Sequence, residues 1–297
     1  MNTKRALLAD MGLVLTAFVW GSGFVATKNA LAYYSPTDIM IMRFGLASII
    51  SLFAFNKKIF PITFGDIKAG VTIGVFLFLG FAFQTAGLQY TTAGKQAFLT
   101  GTNVIMVPWI YWIIKKDRPD AYNLIAAIMM FLGIAFLTLD FENAIFLNKG
   151  DLLTLICAFF FACHILAIGF SSKNHDPVKL TFIQFATTFI LSVLWKLTTG
   201  EQAFLLPLDY FADILFLGIF STFLAFILQN TAQKYTSSTH AAVLLSLESF
   251  FGSIMAIFFL GDAFSLKMIL GCAIIFMAVI TAETKWEFVK LFAVENK

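Results

Sequence analysis

Charged residues are scarce in this sequence. Aspartate, glutamate, lysine and arginine make up 12% of its 297 residues and hydrophobic residues make up 60%, whereas a typical soluble domain is about 25% charged. A soluble chain of this length would leave much of its apolar surface without polar cover. The net charge of +3 is small and the basic residues are spread along the chain, which argues against nucleic-acid binding. The composition therefore predicts an all-α integral membrane protein that lies in a lipid bilayer and binds no nucleic acid.

Common signatures of catalysis and of ATP use are also missing. No HExxH zinc motif and no GxxxxGK[ST] loop occur, and the three histidines are far apart in the chain. The three cysteines all lie inside apolar runs, which is typical of small buried residues and not of a disulfide or metal-binding set. We therefore expect no enzyme, no bound metal and no cofactor.

Ten apolar runs of about 17 to 25 residues are separated by polar breaks. They predict ten transmembrane helices at residues 9–28, 37–55, 69–89, 93–114, 121–139, 150–170, 177–198, 211–233, 238–260 and 264–284. The first run carries no small-residue cleavage signature, so we expect it to be retained as a helix. Ten spans put both termini on one side, and most of the 20 lysines and arginines fall on that side. This bias predicts a multi-pass protein of the cytoplasmic (inner) cell membrane with both termini in the cytoplasm.

One stretch of the chain occurs twice. Residues 84–107 and 229–252 align without a gap, and in this alignment Lys95 faces His240. Five aligned positions hold the same residue type: Gln84/Gln229, Tyr90/Tyr235, Thr91/Thr236, Ala97/Ala242 and Leu99/Leu244. The repetition indicates that the chain contains two related halves.

The similarity continues outside that stretch, since Asp10 aligns with Asp151 and Pro36 with Pro177. We therefore predict two five-helix halves, residues 1–140 and residues 141–297, the second with a short cytoplasmic C-terminal tail. Because five is odd, the second half must be inverted relative to the first, as in many secondary transporters. A binding site is expected between the halves, near the middle of the membrane.

A polar residue lies deep in the apolar run of each copy. Asn103 in the first copy faces Glu248 in the second, and each lies about ten residues, hence ~15 Å, inside its span. A charged carboxylate at that depth costs about 2.5 to 3.5 kcal/mol on insertion scales. Glu248 is therefore a candidate for proton coupling. The alternative is a neutral glutamic acid that is hydrogen-bonded to a neighbouring helix.

The first span contains two glycines beside Trp20, in the sequence WGSG. Small residues there are typical either of a flexible helix that lines a cavity or of tight helix packing. The equivalent segment of the second half carries His164, and the cost of burying a histidine in lipid favours a position at a cavity.

Three basic residues of the first half, Lys28, Arg43 and Lys95, fall toward the predicted outer face. They favour an anionic group such as a substrate carboxylate, although lysines near helix ends also extend to the interface without any site. With the hydrogen-bonding residues of the repeat, the candidate substrate-binding set is Trp20, Arg43, Gln84, Tyr90, Lys95, Asn103, His164, Gln229, Tyr235 and His240, with Glu248 for proton coupling.

These features resemble the drug/metabolite transporter superfamily, in its EamA-domain branch, as two tandem units. The resemblance rests on WGSGFVATK from Trp20, RFGLASII from Arg43, YTTAGKQAFLTG from Tyr90 and LESFFGSIMAIFFLGD from Leu247. The chain departs from the common pattern because Ser249 follows Glu248 where members often have proline, and its last motif ends in Gly-Asp where they often have Gly-Glu. The resemblance implies a ten-helix carrier for small solutes, commonly in metabolite or amino-acid efflux.

We therefore expect a secondary active transporter of a small metabolite or amino-acid-like solute that works by alternating access, in the efflux direction and coupled to protons. An organic-cation or drug carrier, a channel, a lipid-linked flippase and an intramembrane enzyme are the alternatives. The cargo, the direction, the coupling ion and the oligomeric state stay open. Gly133 and Gly271 offer one packing face between subunits.

Overall fold

The computed structural model describes residues 3–138, 148–199, 211–260 and 266–285. These residues are helical, with short connections and no strand among them. The helices are α1 (Thr3–Ala30), α2 (Pro36–Ile59), α3 (Phe64–Leu88), α4 (Ala93–Gly101), α5 (Asn103–Lys115), α6 (Ala121–Thr138), α7 (Lys149–Ser171), α8 (Pro177–Thr199), α9 (Phe211–Phe216), a π-helical segment (Leu217–Leu224), α10 (Ala225–Ala232), α11 (Ser238–Leu245), α12 (Leu247–Leu260) and α13 (Leu266–Thr284).

In the part of the chain that the structure describes, seven helical segments are long and apolar enough to cross a membrane. They are Arg5–Ala30, Pro36–Ile59, Phe64–Leu88, Ala93–Lys115, Lys149–Ser171, Pro177–Thr199 and Phe211–Ala232. Ala121–Phe136 and Ile269–Ala282 are shorter apolar helices, and α11 with α12 covers the remaining predicted span. The prediction of an all-helical, multi-pass membrane protein is confirmed, while the count of ten crossings and the side of the termini stay predictions.

The beginnings of several helices follow from their sequence. A serine, threonine or asparagine side chain accepts a hydrogen bond from a backbone N–H of the first turn. The five capping residues are Ser35, Thr63, Thr92, Asn148 and Ser237. Thr92 and Ser237 are equivalent in the repeat, so both copies start this helix in the same way.

Two spans that the sequence predicts as continuous helices are each interrupted once. The first break lies at Thr102, between α4 and α5, and the second lies at Ser246, between α11 and α12. At both breaks a backbone N–H bonds a carbonyl three residues earlier, from Thr102 to Leu99 at 3.3 Å and from Ser249 to Ser246 at 3.2 Å. Such tightened turns inside a helix are often found at hinges and functional sites.

The two halves pack against each other along their length. In the described residues, α3 packs on α7 and α8, α2 on α8, α1 on α10 and α12, and α6 on α13. The largest buried cluster draws on both halves, for example Leu13 and Val104 from the first and Ile165 and Leu244 from the second. The apolar core is therefore shared, and any cavity in it is bounded by both halves.

Gly133 and Gly271, which the sequence suggests for a contact between subunits, face each other within one chain. A Cβ atom at Gly133 would lie 2.7 Å from the Ile275 side chain and 3.1 Å from the Gly271 carbonyl oxygen. Gly133 and Gly271 therefore allow α6 and α13 of one chain to approach each other closely, and a face between subunits there stays a prediction.

Candidate substrate cavity

A narrow cavity of about 50 Å³ lies among helices of both halves. Since one water molecule needs roughly 10 to 15 Å³, it has room for a few waters. Its walls include Trp20, Arg43, Gln84, Asn103, His164, Gln229 and Glu248 from the predicted set, together with Gly23, Phe24, Thr27, Phe81, Gln96, Phe161, Ile165, Ser221, Phe226 and Leu245. We refer to this space as the central cavity.

Arg43, on α2, is 2% exposed in the wall of the central cavity. Its Nε donates to Thr222 Oγ1 at 2.9 Å and one terminal nitrogen lies 3.4 Å from Ser221 Oγ. The guanidinium carbon lies 4.3 Å from the centre of the Phe81 ring, an arrangement in which the ring face attracts a cation. In the described part of the chain Arg43 has no carboxylate partner.

The residues that Arg43 contacts, Ser221 and Thr222, both lie in the π-helical segment. The Ser221 carbonyl oxygen also accepts a hydrogen bond from the Trp20 indole nitrogen at 2.9 Å. A π-helical turn is rare and commonly occurs at functional sites. It brings the hydroxyl groups of Ser221 and Thr222 to face Arg43.

Glu248 and Asn103 reach the central cavity from opposite halves. Asn103 directly follows the break at Thr102, and Glu248 follows the break at Ser246 by two residues. Both side chains are buried, and among the described residues Glu248 forms no ion pair. The cavity wall thus holds an arginine and a glutamate, and neither has an ion-pair partner in the part of the chain that the structure describes.

Several amides in the wall of the central cavity have unused hydrogen-bonding atoms. In the described residues, Gln96 Oε1, Asn103 Oδ1 and both amide atoms of Gln229 are buried without a hydrogen-bond partner. Such an atom costs about 1 to 3 kcal/mol when left unpaired. These atoms favour the binding of a polar molecule in the cavity.

His164 and Gln84 are held by partners within the wall. The His164 Nε2 atom lies 3.0 Å from Gln184 Oε1, and its ring lies edge-on to Phe226. The Gln84 side-chain Nε2 donates to Thr100 Oγ1 at 3.3 Å, and the Gln84 backbone carbonyl oxygen accepts from Gln96 Nε2 at 2.7 Å. The wall of the central cavity therefore combines fixed and unpaired polar groups.

Both interpretations of the glycines beside Trp20 find support at different positions. A Cβ atom at Gly21 would lie 2.7 Å from the Gly252 backbone nitrogen, so Gly21 permits close packing of α1 on α12. Gly23 lines the central cavity. α1 itself is one uninterrupted helix from Thr3 to Ala30.

Four predicted residues do not line the central cavity: Tyr90, Lys95, Tyr235 and His240. Tyr90 is half-exposed under the Lys149 ammonium, which lies 4.7 Å from its ring centre. Tyr235 packs against the largest apolar cluster. These two residues lie near the start of α4 and of α11, at the helix ends and away from the breaks that face the cavity.

Lys95 and His240 each bind an aspartate of the other half. Lys95 Nζ lies 2.6 Å from Asp151 Oδ2, and His240 Nε2 lies 3.2 Å from Asp10 Oδ1. Since Lys95 aligns with His240 and Asp151 with Asp10, the two pairs are equivalent in the repeat. We call them the Lys95 lock and the His240 lock.

Lys28 is the third of the basic residues that the sequence places toward the outer face. Its side chain binds backbone carbonyl groups near the Lys95 lock. Its Nζ donates to the carbonyl oxygens of Leu88 at 2.8 Å and Thr91 at 3.0 Å. Carbonyl groups at the end of a helix attract a cation. Lys28 therefore ties the end of α1 to the end of α3 and does not enter the central cavity.

Sequence reasoning missed Gln96, Ser221 and Thr222. Gln96 lies inside the repeated stretch, where its equivalent is Ala241. Because the two residues differ in type, the alignment did not mark Gln96 as a candidate site residue. Ser221 and Thr222 form a polar pair in the apolar run FLGIFSTFLAF. A search for every hydrogen-bonding residue within an apolar run would have found all three.

A multi-pass helical bundle with a buried polar cavity between two related halves is the architecture of a membrane transporter. The sequence profile of the EamA-like transporter family matches residues 7–139 and again 148–283. The chain belongs to this family.

Two archaeal relatives agree with the assignment, and one solved structure shares the fold. An uncharacterized transporter of Archaeoglobus fulgidus is 36% identical over 93% of this chain and 86% of its own length. A second uncharacterized transporter of that organism is 26% identical over 88% of this chain and 91% of its own length. One protein of known crystal structure aligns over 97% of this chain and 99% of its own with a TM-score of 0.77 at 14% identity, which shows a shared fold alone.

Proposed function

We propose that this protein is a secondary active transporter that carries a small, polar metabolite or amino-acid-like solute out of the cell by alternating access. The ten predicted spans form two inverted halves, residues 1–140 and 141–297, with both termini in the cytoplasm. The observation that carries the proposal is the central cavity, which Arg43, Glu248 and the unbonded amide atoms of Gln229 line between the halves. Among the described residues neither Arg43 nor Glu248 has an ion-pair partner.

Arg43 is the proposed anchor for an anionic group of the solute. Its guanidinium is already oriented by Thr222 Oγ1 and by the Phe81 ring, so little side-chain freedom is lost on binding. Bidentate contact of a guanidinium with a carboxylate is geometrically favoured. Asn103, Gln96 and Gln229 supply further hydrogen bonds.

Glu248 is the proposed proton carrier. A buried carboxylate without a cation partner is more stable protonated, and access to water on one side allows it to release the proton there. Solute and proton then occupy one cavity, so a conformational change that moves the cavity opening moves both.

The two locks are the proposed contacts that close the cavity at its two ends. Each joins one half to the other, so the halves cannot separate at that end without breaking it. The break at Thr102 lies between Lys95 and Asn103 along the chain, and the break at Ser246 lies between His240 and Glu248, at positions where a helix bends readily. Release of one lock at a time gives alternating access.

The test is a thermal-shift screen of the detergent-purified protein against carboxylate-bearing metabolites, amino acids and organic cations. A ligand that binds only the folded state raises the melting temperature, and by more at a higher ligand concentration. We expect a hit that carries a carboxylate, that is lost in Arg43→Gln and that is retained in Arg118→Gln, which removes an exposed arginine outside the cavity. Hits confined to cations and lost in Glu248→Gln would instead support a cation carrier.

Proton coupling is tested with the same hit in proteoliposomes. Wild-type uptake should respond to an imposed pH gradient, and Glu248→Gln should remove that response while the melting temperature stays near the wild-type value. Asn103→Ala is the matched control at the equivalent position, because it alters the cavity without removing a titratable group. A Glu248→Gln variant that still follows the pH gradient would refute the proton role.

A further inference from the structure

A second cavity, of about 530 Å³, lies along α3, α5 and α7. α3 and α5 both pack on α7, but they make at most marginal contact with each other. The space between them is lined mainly by apolar side chains, among them Phe76, Ile110, Leu166 and Phe170. We call this space the lateral groove.

One end of the lateral groove is basic. Lys68 and His175 line it there, and the Lys115 ammonium lies 4.7 Å from the centre of the Phe170 ring. Asp66 lies at this end, where it bonds His175 at 2.8 Å and Lys179 at 3.5 Å. Lys179 therefore balances the charge of Asp66, and Lys68 and Lys115 add two further basic side chains.

The opposite end of the lateral groove is lined by apolar side chains such as Phe76. Between Lys68 and Phe76 the helix α3 rises by about 12 Å at 1.5 Å per residue. On α7 the wall runs over a similar depth, from Ser171 and Phe170 to Cys163. The groove thus has a charged mouth and a long apolar interior.

We propose that the lateral groove binds one anionic phospholipid, with an acyl chain between α3 and α5 and the phosphate at Lys68 and Lys115. Basic pockets between membrane helices attract anionic head groups, and each nearby lysine strengthens that attraction. Apolar side chains along the floor favour burial of the acyl chain. The site is separate from the central cavity, and the proposal does not depend on the proposed transport function.

Lipid retention by the purified full-length protein is the first test. Native mass spectrometry would be run with added phosphatidylglycerol or phosphatidylcholine. We expect one retained phosphatidylglycerol, and a roughly ten- to thirtyfold weaker affinity in Lys68→Gln/Lys115→Gln, since two lysines contribute to the attraction. Lys57→Gln/Lys58→Gln is the matched control, because it removes two exposed lysines that do not line the groove.

Cys163 gives a second readout inside the lateral groove. It lines the groove and is partly exposed, whereas Cys157 is buried. In a Cys272→Ser background, the maleimide labelling rate of Cys163 reports whether the groove is filled. We expect phosphatidylglycerol to slow labelling severalfold in the parent and to have little effect in Lys68→Gln/Lys115→Gln.

Each alternative outcome has a definite meaning. Equal protection by phosphatidylcholine would overturn recognition of an anionic head group. Protection by glycerol phosphate alone would show a soluble phosphate site and no lipid site. Unchanged labelling of Cys163 with every additive, or equal lipid retention in both lysine pairs of variants, would refute the proposal even if transport is demonstrated.

Discussion

The Lys95 lock and the His240 lock occupy equivalent positions in the two halves, and they differ in how firmly their aspartate is held. Asp151 is fully buried, and besides Lys95 it accepts hydrogen bonds from Thr91 Oγ1 at 2.8 Å and from the Asn148 backbone nitrogen at 2.9 Å. Asp10 is partly exposed, and its Oδ1 atom lies 3.2 Å from His240 Nε2. The two equivalent locks therefore differ in the burial of their aspartate and in the number of hydrogen bonds that hold it.

Helix packing beside the two aspartates differs in the same direction. Gly150 precedes Asp151, and a Cβ atom there would lie 2.6 Å from the Gly87 carbonyl oxygen and 2.9 Å from a backbone atom of Tyr90. Near Asp10, a Cβ atom at Gly12 would meet only the Ala232 Cβ, at 3.9 Å. The Lys95 end therefore depends on a close backbone approach, while the His240 end is looser. Within the proposed alternating-access mechanism, we therefore expect the His240 end to open more easily than the Lys95 end.

The same glycine-to-alanine change at both ends gives the largest expected difference. Gly150→Ala should destabilise the protein by about 1 to 3 kcal/mol, because the new methyl group meets backbone atoms that cannot move aside cheaply. Gly12→Ala should be neutral or stabilising by up to about 1 kcal/mol, since alanine favours a helix over glycine. Thermal unfolding of both variants in one detergent checks this. Equal melting temperatures would show that the two ends are packed alike.

A smaller difference is expected when each aspartate becomes asparagine. Asp151→Asn should cost about 1 to 2 kcal/mol, since charge-assisted hydrogen bonds to a buried group are lost. We expect no larger cost, because Lys95 is 28% exposed and water screens part of its attraction for Asp151. Asp10→Asn should cost less than about 1 kcal/mol. Melting temperatures in low and high salt provide the measurement, and a larger loss in Asp10→Asn would reverse the ranking of the locks.

The sequence predicted the positions of the helices better than their interior geometry. Hydropathy identifies a span because burial in lipid demands a long apolar run, and the described helices lie close to the predicted runs. A break such as that at Ser246, or the π-helical segment at Leu217–Leu224, changes only a few backbone hydrogen bonds. Neither feature changes the hydropathy of the apolar run in which it lies.

The candidate site was predictable where a polar residue lay deep in an apolar run. Arg43, Asn103 and Glu248 stood out for that reason, and the structure brings them to one cavity. The partners of Lys95 and His240 were not predictable, because each pair joins residues of different halves. Knowing them requires the packing of one half on the other, which the repeat alignment alone does not give.

The smallest expected effect concerns pH, and it tests whether the His240 lock is the more easily released. Histidine side chains change charge between about pH 5 and 8, whereas lysine stays charged there. A protonated His240 attracts the Asp10 carboxylate, so acidification should favour closure at this end and a rise in pH should favour opening. His240→Lys makes the two locks chemically alike and should remove this dependence.

Spin labels placed beside each lock measure the effect directly. Leu7 and Lys234 flank the His240 lock, Gln89 and Lys149 flank the Lys95 lock, and all four are exposed. Between pH 5 and pH 8 we expect the distance distribution of the Leu7–Lys234 pair to shift toward longer distances and that of the Gln89–Lys149 pair to stay constant. In His240→Lys both should stay constant. A Leu7–Lys234 shift that persists in His240→Lys would assign the pH response to another group and leave the locks equivalent in this respect.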